Sequence, residues 1–201
     1  MDPAYDKFAK VYDVVFAPFE KRFLSLWRAE TLELLPTNSA VLELGAGTGA
    51  NFQFYPTSKH AVSSELSIKM LNIAKSKAGS NVLVQADAQD LPFAANVFDA
   101  AFATLVFCSI PEPESAFAEL RRVIKPGGKI VLLEHVRPPG WLGYFFDGLS
   151  VLTVALIGDH FNRPTAELAE KSGPTVMEVR RKAFGIVNLI VCEVGSGSVK
   201  D

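Results

Sequence analysis

Residues 41–52 read VLELGAGTGANF. The short run VLEL leads straight into Gly45, Gly47 and Gly49, the punctuation expected where a buried parallel strand ends and a helix opens. In open α/β sheets ligands bind beyond the carboxyl ends of the strands, and glycines there let backbone N–H groups approach a ligand closely. The loop therefore marks a cofactor site. Its spacing leaves the cofactor open, because Gly45-x-Gly47-x-x-Ala50 also fits the relaxed dinucleotide pattern. A structural tight turn is the plain alternative.

Working outward, the same alternation of strand and helix patterns recurs. KHAVSSE (59–65) reads as a second strand, followed by helical spacing through Met70, Leu71 and Ala74; NVLVQAD (81–87) and FDAAFATLVF (98–107) read as the third and fourth. Residues 114–124 place Ala116, Phe117, Leu120, Val123 and Ile124 at helical spacing, Lys125-Pro126-Gly127-Gly128 ends that helix, and KIVLLEHV (129–136) is the fifth strand. TVMEVRRKAF (175–184) and IVNLIVCEV (186–194) flank Gly185 as a hairpin. The order predicts an α/β fold: a doubly wound, mostly parallel seven-stranded sheet with a C-terminal antiparallel hairpin strand. Residues 1–195 read as one domain, with an N-terminal helical cap (1–37) interrupted at Pro18, a cofactor-binding core (38–137), a lid or acceptor region (138–173), a terminal hairpin (174–195) and a frayed tail (196–201).

The composition narrows the class. A chain of 201 residues fits one domain with a large core, and 49% hydrophobic against 21% charged residues argues against disorder. A formal net charge of −2 offers no electrostatic case for nucleic acid. Cys108 and Cys192 lie far apart without CxxC or His-rich spacing, so neither a disulfide framework nor a metal site is expected. The start MDPAYDKFAK has no apolar signal-peptide run, which predicts a cytoplasmic protein.

Three acids sharpen the site. Glu43 stands two residues before the first glycine, where a pyrophosphate loop gains nothing from negative charge and a cationic ligand does. Glu65 closes the second strand about 20 residues on, where a carboxylate accepts ribose hydroxyls in NAD and other adenosine cofactors alike. Asp87 ends the third strand and can accept from an adenine amine, with the Ala88 N–H available to a ring nitrogen. Each acid has a plain alternative as a solvated strand end or helix cap.

Further along, Glu134 and His135 are adjacent on a strand, so their side chains face opposite ways and do not form a simple dyad. His135 is the candidate general base, with an ordinary pKa near about 6.5; a histidine bonded to backbone at the strand exit is the alternative. Asp159-His160 with Arg163 is a second polar cluster, or else a helix terminus tying down a loop. Cys108 reads as buried and inert. WLGYFFDGLSVLTVALIG (141–158) is strongly apolar but interrupted by Asp147 and Gly148, short of the ~20 apolar residues of a membrane span. It reads as a lid whose inner face binds an apolar acceptor and which allows peripheral contact with a membrane surface; core packing is the alternative.

Taken together, ELGAGTG (43–49), Glu65, ADAQDLPF (86–93), FDAAF (98–102) and LRRVIKPGG (120–128) resemble the class I S-adenosylmethionine-dependent methyltransferases. YDKFAKVYD (5–13) is similar to the ubiquinone and menaquinone C-methyltransferase group; GTGANFQFYP (47–56), TLVFCSI (104–110) and LEHV (133–136) resemble the alkyl thiol S-methyltransferases, without their N-terminal membrane-associating segment. The resemblance implies a Rossmann-like methyltransferase fold with S-adenosyl-L-methionine as cofactor and S-adenosyl-L-homocysteine as product. It implies that Glu43, Gly45, Gly47, Gly49 and Asn51 surround the methionine half, Glu65 and Leu66 the ribose, Asp87 and Ala88 the adenine edge, and Thr104 and Leu105, with Val106, the sulfonium. Tyr5 and Tyr12 correspond to tyrosines that fold over the site in the quinone group; packing of an amphipathic helix is the alternative. The implied acceptor is small and largely apolar: a thiol, a quinol or phenol, or a lipid amine. An NAD-linked oxidoreductase and a non-catalytic S-adenosylmethionine-binding protein are the competing readings, and the sequence leaves oligomeric state undetermined.

Overall fold

The computed structural model describes residues 23–55, 60–157, 160 and 162–195. The expectations for Tyr5, Tyr12, Pro18, Asp159 and the 196–201 tail fall outside the described residues. Within them the order is α1 (Ser25–Glu33), β1 (Ala40–Leu44), a 3-10 turn (Phe52–Phe54), β2 (His60–Glu65), α2 (Ile68–Ala74), β3 (Val82–Gln85), β4 (Phe98–Thr104), α3 (Pro113–Val123), β5 (Ile124–His135), α4 (Trp141–Ile157), α5 (Thr165–Lys171), β6 (Thr175–Lys182) and β7 (Val187–Glu193).

The seven strands form one sheet in the order β3-β2-β1-β4-β5-β7-β6. β3, β2, β1, β4 and β5 run parallel, and β7 is antiparallel to both β5 and β6. The hairpin thus lies on the sheet with its second strand inside, next to β5. β1 and β4 are neighbours although β2 and β3 intervene in sequence, so the strand order reverses at that pair. A crevice opens at such a switch point, beyond the carboxyl ends of the strands.

Alternation along the strands sorts the core into two faces. Leu42, Leu44, Ala101, Ala103, Ile130, Leu132 and Ile190 pack with Phe117, Leu120 and Val123 of α3 on one face. Val41, Ala100, Phe102, Val131, Leu133 and Leu189 pack with Leu32 and Leu35 on the face covered by α1. Both faces being covered explains why β4 reads as a continuous apolar run rather than an alternating one. At the β6 edge, Arg180 and Lys182 pair with Glu30 of α1, fixing that helix to the sheet.

Two local expectations are corrected. β4 ends at Thr104 rather than 107, because Leu105 turns into the left-handed region at φ 60°. β5 starts at Ile124 rather than 129: the Lys125–Gly128 stretch is a bulge in the β4–β5 pairing, with Gly127 N–H donating to Val194 O at 2.8 Å. The apolar stretch after Pro138-Pro139, read from sequence as a lid without an assigned element, is a 17-residue helix, Trp141–Ile157. Its Gly143 is required by packing, since a Cβ there would lie 2.7 Å from the Pro138 backbone carbonyl oxygen. Among the described residues, no helix is long and apolar enough to cross a membrane.

Candidate functional site

The glycine loop sits at the switch point and is shaped by what it touches. Gly45 has φ 62°, and a Cβ there would meet Val106 Cγ2 at 2.5 Å, so both conformation and space demand glycine. Gly49, at φ 81°, is closed the same way by the Phe52 ring, 2.7 Å from an added Cβ. Gly47 differs: it has φ 55° but nothing within 4 Å of an added Cβ, so its outer face is open. Its N–H donates to Glu65 Oε2 at 2.9 Å, while Glu65 Oε1 accepts from Ser67 N–H at 2.8 Å. The strand-end acid and the glycine loop are thus joined directly. Beside them Leu66 and Ile68 are exposed, an apolar wall next to a paired-acceptor carboxylate.

Behind the loop lies a buried polar network. Glu43 is fully buried; its Oε1 accepts from Asn51 Nδ2 at 2.6 Å and its Oε2 accepts from the Tyr55 hydroxyl. Tyr55 also pairs with Ser63 Oγ at 2.7 Å and stands edge-on to Phe102. Arg28 of α1 donates to Asn51 Oδ1 at 2.8 Å and to Thr104 Oγ1, which also accepts from Asn51 Nδ2 at 2.9 Å. Burial pushes the Glu43 carboxyl up, against the pull of its hydrogen bonds and of Arg28, and pushes the Tyr55 phenol well up, with the Glu43 charge adding to it. Both Glu43 oxygens are thus engaged by Asn51 and Tyr55, which the carboxylate holds against the strand ends.

The third acid occupies a separate corner. Asp87 Oδ1 accepts from Gln89 N–H at 2.9 Å, and Gln89 Oε1 in turn accepts from Glu112 N–H at 2.9 Å. Arg122 of α3 donates to Phe93 O at 2.6 Å and Leu91 O at 2.9 Å, and Glu119 accepts from Leu91 N–H at 2.8 Å. The LRRVIKPGG and ADAQDLPF segments are thus one unit, in which the helix holds the loop that carries Asp87 and Ala88.

This arrangement has known counterparts. The family described as a methyltransferase domain matches residues 42–132. A demethylmenaquinone methyltransferase of Paenarthrobacter aurescens is 31% identical over 167 residues, 81% of this chain and 66% of its own length. The chain belongs to the class I S-adenosylmethionine-dependent methyltransferases. The human thiol S-methyltransferase TMT1B is 38% identical over 107 residues, 50% of this chain and 44% of its own length. A crystal structure of an S-adenosylmethionine-dependent methyltransferase from Thermotoga maritima, a possible histamine N-methyltransferase, superposes with a TM-score of 0.74 at 20% identity, covering 95% of this chain and 98% of that one; it establishes the fold. The chain spans 58–66% of the length of the bacterial quinone-methylating relatives.

The fifth strand carries the remaining candidates. Glu134 lies on the α3 face and is fully buried; its Oε1 accepts from Val106 N–H at 3.0 Å and Phe107 N–H at 3.1 Å. His135 lies on the α1 face. The expectation of a histidine poised near 6.5 does not hold, because burial pushes the imidazole down to about 4 and leaves it neutral near pH 7. Arg163 is buried and donates to the carbonyls of Phe107 and Ile110, and His160 N–H donates to Cys108 O at 2.9 Å. Of the two readings of that cluster, the loop-tying one fits this geometry. Cys108 is buried. Arg137, from the same junction, pairs with Asp147 at 2.9 Å and covers the Tyr144 ring at 5.4 Å, bracing the start of α4.

Sequence reasoning missed Arg28 and Tyr55. A signal for Arg28 existed: it lies on the stripe Leu24, Arg28, Thr31, Leu32, Leu35, where a helix turns apolar residues inward, and a charge in that stripe needs a buried partner. For Tyr55 no spacing points to Glu43.

Proposed function

We propose that the protein moves the methyl group of S-adenosyl-L-methionine to a small, largely apolar acceptor by in-line displacement, releasing S-adenosyl-L-homocysteine. The observation that carries this reading is the junction of the glycine loop with Glu65. An open face at Gly47, a carboxylate with two acceptor oxygens and the exposed Leu66 together suit a nucleoside with vicinal hydroxyls. The match to a methyltransferase domain and to methyltransferase relatives disfavours an NAD-linked reaction. We assign Gly45, Gly47, Gly49 and Asn51 to the methionine half, with Glu43 supporting them. Glu65 and Leu66 go to the ribose, Asp87 and Ala88 to the adenine edge, and Thr104 and Leu105 to the sulfonium side. Residues 1–195 act as one domain, in which 38–137 hold the cofactor and 1–37 and 138–173 cover it.

The cofactor supplies an electrophilic methyl on a sulfonium, and the protein's share is placement and exclusion of water. His135, as a neutral and weakly basic imidazole, suits an acceptor that arrives deprotonated. A thiol near its pKa is already partly thiolate, whereas a phenol or quinol is not. The similarity to a thiol S-methyltransferase supports thiols as the first class to try, with quinols, phenols and lipid amines next. Trp141, Tyr144, Phe145 and Val151 are exposed along one side of α4, which supports peripheral contact of a cytoplasmic protein with a membrane surface through residues 141–158.

Thermal shift with S-adenosylhomocysteine, NADH and buffer tests the cofactor; no shift with S-adenosylhomocysteine at saturation sinks the reading. Homocysteine-linked turnover on thiols, hydroquinones and phosphatidylethanolamine then separates transfer from binding alone. Replacing Glu65 with alanine is expected to weaken S-adenosylhomocysteine by about tenfold to a hundredfold, the loss of charge-assisted hydrogen bonds. Calorimetric titration measures it, and unchanged affinity in a folded variant removes the ribose assignment.

A further inference from the structure

We propose that Glu134 and Arg163 are positioning residues that hold the loop leaving β4, residues 105–110, and through it set the affinity of the glycine loop for the cofactor. The proposal rests on the cofactor reading above. The loop starts under constraint, with Leu105 at φ 60°, a conformation uncommon for a bulky side chain, and its N–H held on Leu133 O at 2.7 Å. The next residue, Val106, fills the space against Gly45, so a shift of this loop is felt at the first glycine. Glu134 grips the loop by its donors, the N–H groups of Val106 and Phe107. Arg163 grips it by its acceptors, the carbonyls of Phe107 and Ile110, the second at 2.6 Å. Arg163 belongs to the segment that follows α4, and His160 of that segment holds Cys108 O as well. One short loop therefore joins the acceptor side of the molecule to the cofactor side.

Glu134 does this at a cost to itself. Its Oε2 is buried without a hydrogen-bond partner among the described residues, and so is Oδ1 of Asn188, which stands opposite it in the β5–β7 register. Two adjacent acceptors with no donor favour a proton on the carboxyl. Burial pushes its pKa to about 7, while the N–H groups of Val106, Phe107 and Cys108 and the charge of Arg163 pull it down. Both forms are thus present near neutral pH, and the ionised form holds the two N–H groups more strongly because the bonds are charge-assisted. The loop is held more firmly as pH rises.

Calorimetric titration of S-adenosylhomocysteine into the wild type, Glu134→Gln and Arg163→Lys at about pH 6 and about pH 8 tests this. Wild-type affinity is expected to be on the order of fivefold higher at the upper pH. In Glu134→Gln that dependence disappears, a result that a merely structural role does not produce. Arg163→Lys keeps the charge but loses the fork; it is expected to bind on the order of tenfold more weakly at both pH values and to retain the dependence. Wild-type pH dependence persisting in Glu134→Gln, or wild-type affinity in folded Arg163→Lys, overturns the proposal while leaving the cofactor reading intact. If Arg163→Lys does not fold, the pH readout of Glu134→Gln decides alone. No wild-type binding at either pH overturns both.

Discussion

Replacing Glu43 with alanine is expected to lower the unfolding midpoint on the order of 10 °C. The carboxylate is fully buried and accepts from Asn51 and Tyr55, with the Arg28 guanidinium two links away through Asn51. Removing it takes the charged acceptor from both donors, leaving Asn51 Nδ2 with Thr104 and the Tyr55 hydroxyl with Ser63. Hydrogen bonds to a charged group contribute about 1.5–3 kcal/mol each, so losing the two together costs about 3–6 kcal/mol. That is a large share of a typical domain's stability of about 5–15 kcal/mol. For a chain of this length each kcal/mol moves the midpoint by about 2–4 °C.

The cost belongs to the network rather than to one bond, and a double-mutant cycle separates the two. Arg28→Met removes a charge that bears on Glu43 through Asn51, so in the Glu43→Ala background it is expected to cost less than it does alone, with a coupling of about 1–3 kcal/mol. Chemical denaturation of the four proteins measures it. A Glu43→Ala loss below about 1 kcal/mol, or strict additivity with Arg28→Met, removes the network from the account of why α1 is held on the sheet.

The glycine loop was legible because its signal is local: three glycines after a short apolar strand state their own conformational reason. The same holds for the β4 and β5 runs, whose burial on both faces makes them continuous in sequence. What was not legible depends on which distant groups meet. Glu43 faces inward because Asn51 and Tyr55 return to it from the following turn, and nothing in the strand VLEL distinguishes a carboxylate facing a ligand from one facing a tyrosine. The depressed pKa of His135 is a burial effect, and burial at a strand exit is set by what packs over it from another element. α4 escaped for a different reason. Gly143, Gly148 and the preceding Pro138-Pro139 weaken helix propensity, and the helix forms where Arg137 braces Asp147 and Asn162 bonds both Asp147 and Ser150.

Glu134→Gln is expected to stabilise the protein, increasingly so as pH rises. The folded carboxyl has its pKa pushed from 4.5 to about 7, so between those values the folded chain binds more protons than the unfolded chain. Stability therefore falls as pH rises through this window: the contribution of Glu134 is fully present below about pH 4.5 and lost above about pH 7. The displacement corresponds to a loss on the order of 3 kcal/mol. Glutamine keeps an oxygen for Val106 and Phe107, does not ionise, and offers an N–H₂ donor toward Asn188 Oδ1. The difference between variant and wild type is thus small near pH 5 and on the order of 3 kcal/mol near pH 8, and taking the difference at each pH cancels groups common to both. Denaturant titrations across that range measure it. A difference that is flat with pH removes the raised carboxyl, whereas a rising one, accompanied at the upper pH by weaker binding of S-adenosylhomocysteine to the variant than to the wild type, identifies Glu134 as a residue kept for its hold on the loop at the expense of stability.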